Sequence, residues 1–438
     1  MRRDLTGILI PFVYFIAGAT SLAGVATTFY YKDDLGLSIV QTQILGSIAI
    51  LPWSVKPIYG LLSDMRPIFR MRRKPYLFLS GLLGAAGYFS MATWVSDFYG
   101  ALFASILSGM GFAMADVIVD GIVAERSRSQ KEAGKLQSVC RAAILTGALI
   151  VSYASGVLVE LIGARNVFLI TGSLPLLTTL FAFFVIEPQE FRAPSLKQAF
   201  GSFKGALSPA LLWSALFLFI WRATPSSGGA FSYYLIDALQ FTPEFFGRIS
   251  LVSHIAGIIG IVIFRKFLLS LPLRTLFFWI MVASVVLSLP TMGLIYHWYE
   301  FLGVSPQFFS LADTLISGPL SEIGFLPLLV LTARVCPKNV EATMFAVLAS
   351  IMNIGLAVSD LGGAWLTTIF DVHTASEGIA ANYENLDKIM WIAILSSFLP
   401  LPLLRFLPET RVSGEVTGGP SLQAQPVPVL EPGKQEIA

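Results

Sequence analysis

The sequence predicts an all-α membrane protein of twelve transmembrane helices arranged as two bundles of six, and three observations predict it. First, 55% of the 438 residues are hydrophobic and only 13% are charged, with a mean hydropathy of +0.74. A soluble chain of that composition lacks the polar surface to cover its interior. Second, apolar runs of roughly 20 residues, the length that crosses a hydrocarbon core, recur twelve times. Third, the loops between them alternate between rich and poor in Lys and Arg, the pattern of a chain threaded back and forth.

The runs fall near 8–31, 39–62, 75–95, 98–123, 136–160 and 165–186, then near 209–235, 244–269, 273–297, 306–333, 341–369 and 387–407. Each must be helical, because backbone amides in lipid are satisfied only within the segment or in a closed barrel. Residues 187–208 form a polar cytoplasmic linker between an N-terminal bundle at 1–186 and a C-terminal bundle at 209–409. Residues 410–438, rich in Gly, Pro and Gln, are expected to stay a disordered cytoplasmic tail.

The even-numbered loops carry seventeen Lys and Arg, whereas the odd-numbered ones hold only Lys32, Arg165 and Lys388. Both termini are therefore expected in the cytoplasm. Met1-Arg2-Arg3-Asp4 leads into a run too long for a cleavable signal core, so it reads as the first span. The composition of this region, without a Ser- and Arg-rich transit sequence, favours a bacterial inner membrane, or a chloroplast envelope for a processed organellar form. A net charge of +2 gives no case for nucleic acid. Cys140 and Cys336 both fall near the cytoplasmic side, where no structural disulfide is expected. His254, His297 and His373 are scattered and no nucleophile sits by a base, so neither a metal site, a cofactor nor an enzyme is indicated.

A weak internal repeat accompanies the twelve spans. Arg126, before Glu132, and Arg334, before Glu341, each close one helix just ahead of a Glu that opens the next. A duplicated six-helix half would leave this trace, and Glu placed by a helix dipole would produce it too.

An ionisable group at the centre of a span costs on the order of 2.5–3.5 kcal/mol, so each one needs a partner or a task. The candidates are Lys56, Asp116, Asp120, Arg141, Arg222, Asp313, Glu322 and Asp360. Asp116 and Asp120 are four apart and share a helix face. Asp120 lies within reach of Arg70 or Arg72, which would make it a latch. For Asp116, one turn deeper, substrate or proton work and a buried ion pair both stay open. Trp53 and Lys56 share a face between Pro52 and Pro57, which loosen the helix there. Pairing of Lys56 with Asp116 is the competing reading. Arg222 precedes Thr224-Pro225-Ser226-Ser227-Gly228-Gly229, a sequence that breaks a helix at mid-membrane, and Ser317-Gly318-Pro319 is expected to do the same. Asn353 and Asp360 stand two turns apart on one face. An anionic, ring-bearing solute suits this set: Trp53 or Tyr233 to stack on a ring, and Lys56, Arg141 or Arg222 to neutralise an anion.

Two resemblances sharpen the reading. Gly60-Leu-Leu-Ser-Asp64-Met-Arg66 through Arg72-Arg73-Lys74 resembles the loop between the second and third helices of the major facilitator superfamily, G-x-x-x-D-R-x-G-R-R, with Met65 and Phe69 where its first Arg and second Gly would be. The likeness implies a cytoplasmic latch, for which Asp64, Arg70, Arg72, Glu125, Arg126 and Arg334 are the candidates. Ala115-Asp116-Val-Ile-Val-Asp120-Gly121-Ile-Val-Ala-Glu125-Arg126 is similar to a signature of the folate–biopterin transporter family, a branch of that superfamily. Ala49-Ile-Leu-Pro52-Trp53-Ser-Val-Lys56-Pro57 and Ser138-Val-Cys140-Arg141 extend the similarity, which runs to about residue 409.

This family likeness implies a secondary transporter that moves folates or pterins by alternating access. Its partners would be that small molecule, protons and membrane lipid, and the working expectation is a monomer. Trp53, Lys56, Asp116, Arg141, Arg222, Tyr233 and Asn353 are then expected to bind substrate. Asp116, Asp120, Glu322 and Asp360 are expected to couple protons or gate. No G-x-x-x-x-G-K-[ST] loop is present to bind ATP, which leaves a proton gradient as the natural engine. The fifth span lacks the Gly-Pro pair common in antiporters, so the resemblance favours symport. Transport of another organic anion, or a receptor that reuses the fold, are the competing functions.

Overall fold

The computed structural model describes residues 6–126, 130–184, 208–268, 270–336, 341–376 and 378–408. Among them, eleven helical stretches are long and apolar enough to cross a membrane. Spans 1 to 6 are Gly7–Asp34, Ile39–Met65, Lys74–Thr93, Phe98–Val123, Val139–Ile162 and Ala164–Ala182. Spans 8 to 12 are Pro243–Leu268, Leu273–Ile295, Pro306–Val335, Met344–Ile369 and Leu386–Phe406. Span 7 is divided into two shorter helices, Pro209–Arg222 and Gly228–Asp237. The only β pairings among the described residues are isolated bridges in loops. The fold is thus an all-α membrane fold. Except for Ser208, the expected linker at 187–208 and the tail at 410–438 lie outside the described residues.

Three spans of the second half begin with one device, a hydroxyl residue followed by proline. Ser208, Thr242 and Ser305 accept hydrogen bonds from the amides of Leu211, Phe245 and Phe308 at 3.2, 3.3 and 3.1 Å. Pro209, Pro243 and Pro306 follow at the first helical position, where a missing N–H leaves nothing unsatisfied. Span 2 starts with a reciprocal Ser38–Gln41 box, each side chain bonded to the other's backbone amide.

The breaks in the helices position the site. Span 2 stops at Ser54 and resumes at Lys56, with Val55 between them at φ −102° and ψ 18°. Span 7 is open over 223–227. In span 10 the expected break is milder, because Gly318 keeps helical angles (φ −54°, ψ −39°) and only Pro319 interrupts the bonding. Span 12 is α-helical to Ser396 and ends in a 3-10 helix, Leu401–Phe406.

Each half has its own apolar interior. Tyr30, Ala101 and Phe168 centre one cluster of the first half, and Leu77, Met114 and Ile118 another. In the second half Phe217, Phe277, Leu328 and Leu348 do the same. A further cluster crosses between halves: Ile39 of span 2 packs with Tyr233, Tyr234, Leu366 and Ile389. These residues lie at the span ends remote from the basic loops, so the halves are closed together at that outer end. Spans 5 and 8 approach there backbone to backbone. A β-carbon on Gly247 would sit 2.7 Å from the Tyr153 carbonyl oxygen, and one on Gly156 would overlap that of Pro243.

Gly156→Leu should therefore wedge the outer end open. Ser152, one turn away, is buried in the interface. A cysteine placed there should be protected from an impermeant maleimide in the parent chain and labelled readily when Gly156→Leu is added. Equal protection in both would show that the close approach does not hold this end shut.

Candidate functional site

The break at Val55 makes Lys56 the first residue of its helix and turns Trp53 to the same side. The Lys56 ammonium lies 4.5 Å from the Trp53 ring centre and 2.5 Å from Oδ2 of Asp116 in span 4. The pair is not sealed: the two side chains keep 17% and 23% of their surface exposed. Of the two readings of Lys56, pairing with Asp116 is the state seen. One turn along, Asp120 accepts a hydrogen bond from the Tyr14 hydroxyl of span 1 at 2.7 Å. The Arg72 expected near Asp120 is bonded to Asp64 instead.

Pro57 has no N–H, so it cannot bond the Trp53 carbonyl four residues back as a helix would require. Asn353 of span 11 supplies the missing donor across the two halves, with Nδ2 3.0 Å from that oxygen. Asn353, expected among the substrate ligands, thus serves as a cross-half cap here. Tyr233, expected to stack on a ring, is buried in the outer closure, where its hydroxyl donates to the Leu37 carbonyl and meets Thr42, both at 2.9 Å.

A second set of charges bridges the two halves. Arg141 of span 5 grips Glu322 of span 10 with one terminal nitrogen at 3.0 Å from both carboxylate oxygens, an ion pair between the halves. Phe325, three residues beyond Glu322, presents its ring to two cations. The guanidinium carbons of Arg141 and Arg222 lie 5.9 and 5.8 Å from the ring centre. Arg222 closes the first helix of span 7, and Gly355 of span 11 admits its backbone: a β-carbon there would meet Cβ of Arg222 at 2.8 Å. The open stretch after Arg222 is sewn to span 11, with the Ser359 hydroxyl donating to the Thr224 carbonyl and the Ser226 amide donating to the Ser359 carbonyl. Asp360 follows, its Oδ2 3.3 Å from where a Gly46 β-carbon would stand. Asp313 is buried; Thr291 donates to one oxygen and the other has no hydrogen-bond partner among the described residues.

At the basic-loop end Asp64 holds Arg72 at 3.2 Å and Arg73 at 3.0 Å. Arg73 also donates to Ser63 and lies flat over Gly121, where any β-carbon would come within 2.7 Å of the guanidinium carbon. Arg70 is exposed in a tight turn with Phe69, and both have positive φ (60° and 51°). Arg334 sits in the last turn of the helix Pro319–Val335. The side chains of Glu125 and Arg126 lie outside the described residues. At the outer end Lys32 of span 1 meets Asp237 of span 7 at 2.6 Å, and the hydroxyls of Thr374 and Tyr383 each donate to the same carboxylate at 2.6 Å. Burial, reinforced by this carboxylate, holds the Tyr383 phenol well above its usual pKa, so it stays a donor.

The model of the BT1 family matches residues 17–420. The chain belongs to the BT1 family. A folate-biopterin transporter of Synechocystis sp. is 39% identical over 402 residues, covering 90% of this chain and 80% of that one. Folate transporter 2 of Plasmodium falciparum is 28% identical over 409 residues, covering 93% and 89%. Among solved structures, a D-xylose-proton symporter superposes with a TM-score of 0.66 at 15% identity, covering 93% of this chain and 98% of that one. A nucleoside transporter gives 0.68 at 12%, covering 92% and 100%. Those likenesses establish the major facilitator fold, two six-helix bundles, for this BT1-family protein.

Three features of this candidate site are not among the residues the sequence singles out. Phe325 carried a usable signal, since it sits three residues from Glu322 and so on the same face. Arg73 was hidden among neighbouring Arg residues. The Lys32–Asp237–Thr374–Tyr383 cluster joins residues too far apart in the chain for any spacing rule.

The Lys56–Asp116 pair generates a stability test. Removing one member strands the other charge, a change of about 3–5 kcal/mol for buried pairs and less where water reaches. Lys56→Met should therefore lower the thermal midpoint in detergent more than Lys56→Met combined with Asp116→Leu. A double variant as unstable as the sum of both singles would mean the groups are not coupled.

Proposed function

We propose that this protein is a proton-coupled secondary transporter that carries folates and pterins through a site between its two halves. The observation that carries the proposal is the set of charges and rings the two halves contribute: Trp53, the Lys56–Asp116 pair and Arg141 from the first half, and Glu322, Phe325 and Arg222 from the second, with Arg141 and Glu322 joined across the interface. The names of the relatives supply the substrate class. The pteridine ring offers N3–H and a 2-amino group as parallel donors, which one carboxylate accepts together. Asp116 fills that role, Trp53 stacks on the ring, and Arg141 with Arg222 neutralises the carboxylates of a folate tail.

In this reading the basic loops face the cytoplasm of a bacterium and the closed outer end faces away from it, so the state described is shut to the outside. Alternating access requires the outer closure to open and the Asp64–Arg72–Arg73 latch to take the strain at the other end. Among the half-buried or buried carboxylates, Asp116, Glu322 and Asp360 are the proton carriers to test first; Asp120, with Tyr14, stands nearer the loop and gates.

Uptake of labelled folate into vesicles containing the full chain tests the proposal. An inward acid gradient should accelerate it several-fold, unlabelled biopterin should compete, and Asp116→Asn should lower it at least tenfold. Uptake indifferent to the gradient would remove the proton, and full uptake by Asp116→Asn would remove that residue. Competition by unrelated aromatic acids but not by biopterin would reassign the substrate. Binding without flux would leave a receptor.

A further inference from the structure

Arg222 stands out among the charges of the interior. It lies at mid-span, has no ion pair among the described residues, and its Nε is buried without a hydrogen-bond partner. A guanidinium carries five N–H donors and cannot shed its charge, so leaving it without an anion is costly. Its one described contact of note is the face of Phe325 at 5.8 Å, an attraction of about 0.5–2 kcal/mol that a carboxylate would exceed. Arg141 approaches the same ring and already holds a carboxylate, that of Glu322, while its own Nε is buried and unbonded. Two guanidinium groups thus share one aromatic ring, and only Arg141 holds a carboxylate. Among the described residues, Arg222 is left without an ion pair beside that ring.

We propose that Arg141, Phe325 and Arg222 form a carboxylate-binding subsite, and that Glu322 occupies it from within as an internal stand-in for a carboxylate of the substrate. The Arg141 side chain is 40% exposed, so an incoming anion can reach it without prior unfolding of the pair. The exchange conserves charge pairing at Arg141: the substrate carboxylate takes the place of Glu322. Because Arg141 and Glu322 belong to opposite halves, the displacement also cuts a bond that ties the halves together. Substrates bearing a carboxylate therefore loosen the interface, and neutral pteridines leave it tied. The proposal rests on the folate reading for the identity of the tail; the geometry itself requires only a carboxylate on a flat body.

Equilibrium binding to the purified full chain separates these points, with three probes: folate, neutral biopterin, and 4-aminobenzoylglutamate, which has the tail without the pteridine. Glu322→Gln removes the internal competitor and should raise affinity for folate relative to biopterin about tenfold. Arg222→Gln should lower the same ratio about tenfold, and Arg222→Lys should restore part of it. Thermal melting establishes that each variant is folded. If Glu322→Gln fails to fold, the Arg222 variants decide, since removing an unpaired cation leaves no partner stranded. Ratios unchanged in the folded variants would overturn the subsite. If the parent chain binds neither pteridine, the folate reading fails instead. 4-Aminobenzoylglutamate binding that moves with the same variants would still uphold the subsite, and no response would overturn it.

Discussion

An ion in a medium of low dielectric constant is costly unless another ion matches it, and this one constraint organises most of the charges inside the protein. A lone carboxylate or ammonium would surrender its charge or its place in the fold. Lys56 and Asp116 keep theirs because span 2 breaks at Val55 and delivers the ammonium directly to the carboxylate of span 4. Asp64 draws in two Arg side chains for the same reason, and Gly121 provides the flat surface on which one of them rests. The helix breaks, which weaken the backbone ladder, are what bring the charges into register.

The ion pairs divide into two sorts by what they connect. Lys56–Asp116 and Asp64 with Arg72 and Arg73 lie within the first half and move with it as a body. Arg141–Glu322 and Lys32–Asp237 connect the halves, and any rocking of one half against the other has to break them. The first sort preserves the shape of each bundle, while the second decides which arrangement of bundles is favoured. At the Lys32–Asp237 tie, Thr374 and Tyr383 of the same half hold the Asp237 carboxylate in place for the ammonium that reaches it from the other half.

Much of this was legible in the chain. Hydropathy alone located the spans to within a few residues at most of their ends, because lipid fixes both the length and the composition of a crossing segment. The break in span 7 was readable from Thr224-Pro225 and Gly228-Gly229, and the shared face of Trp53 and Lys56 from their spacing of three. Gly318-Pro319 misled in degree, since glycine permits a break but does not force one, and Gly318 kept helical angles. Asn353 and Tyr233 have the chemistry of substrate ligands, yet the structure engages both in holding the halves together. Local rules say what a side chain is able to bind. They do not say which residue three hundred positions away reaches it first.

Phe69 shows the same limit from the other direction. It adopts φ 51°, a conformation that glycine takes most readily, so this turn forms without the residue best suited to it.

The cap placed by Asn353 on the Trp53 carbonyl has a kinetic side. Proline has permanently cancelled the in-helix donor, so whenever the halves part that oxygen is stripped bare in the middle of a membrane. Either a solvent molecule or a donor group of the passenger has to replace the departing amide. Wetting of this spot thereby becomes part of the barrier that an empty carrier climbs on its return, and a passenger with an N–H at the right height lowers it.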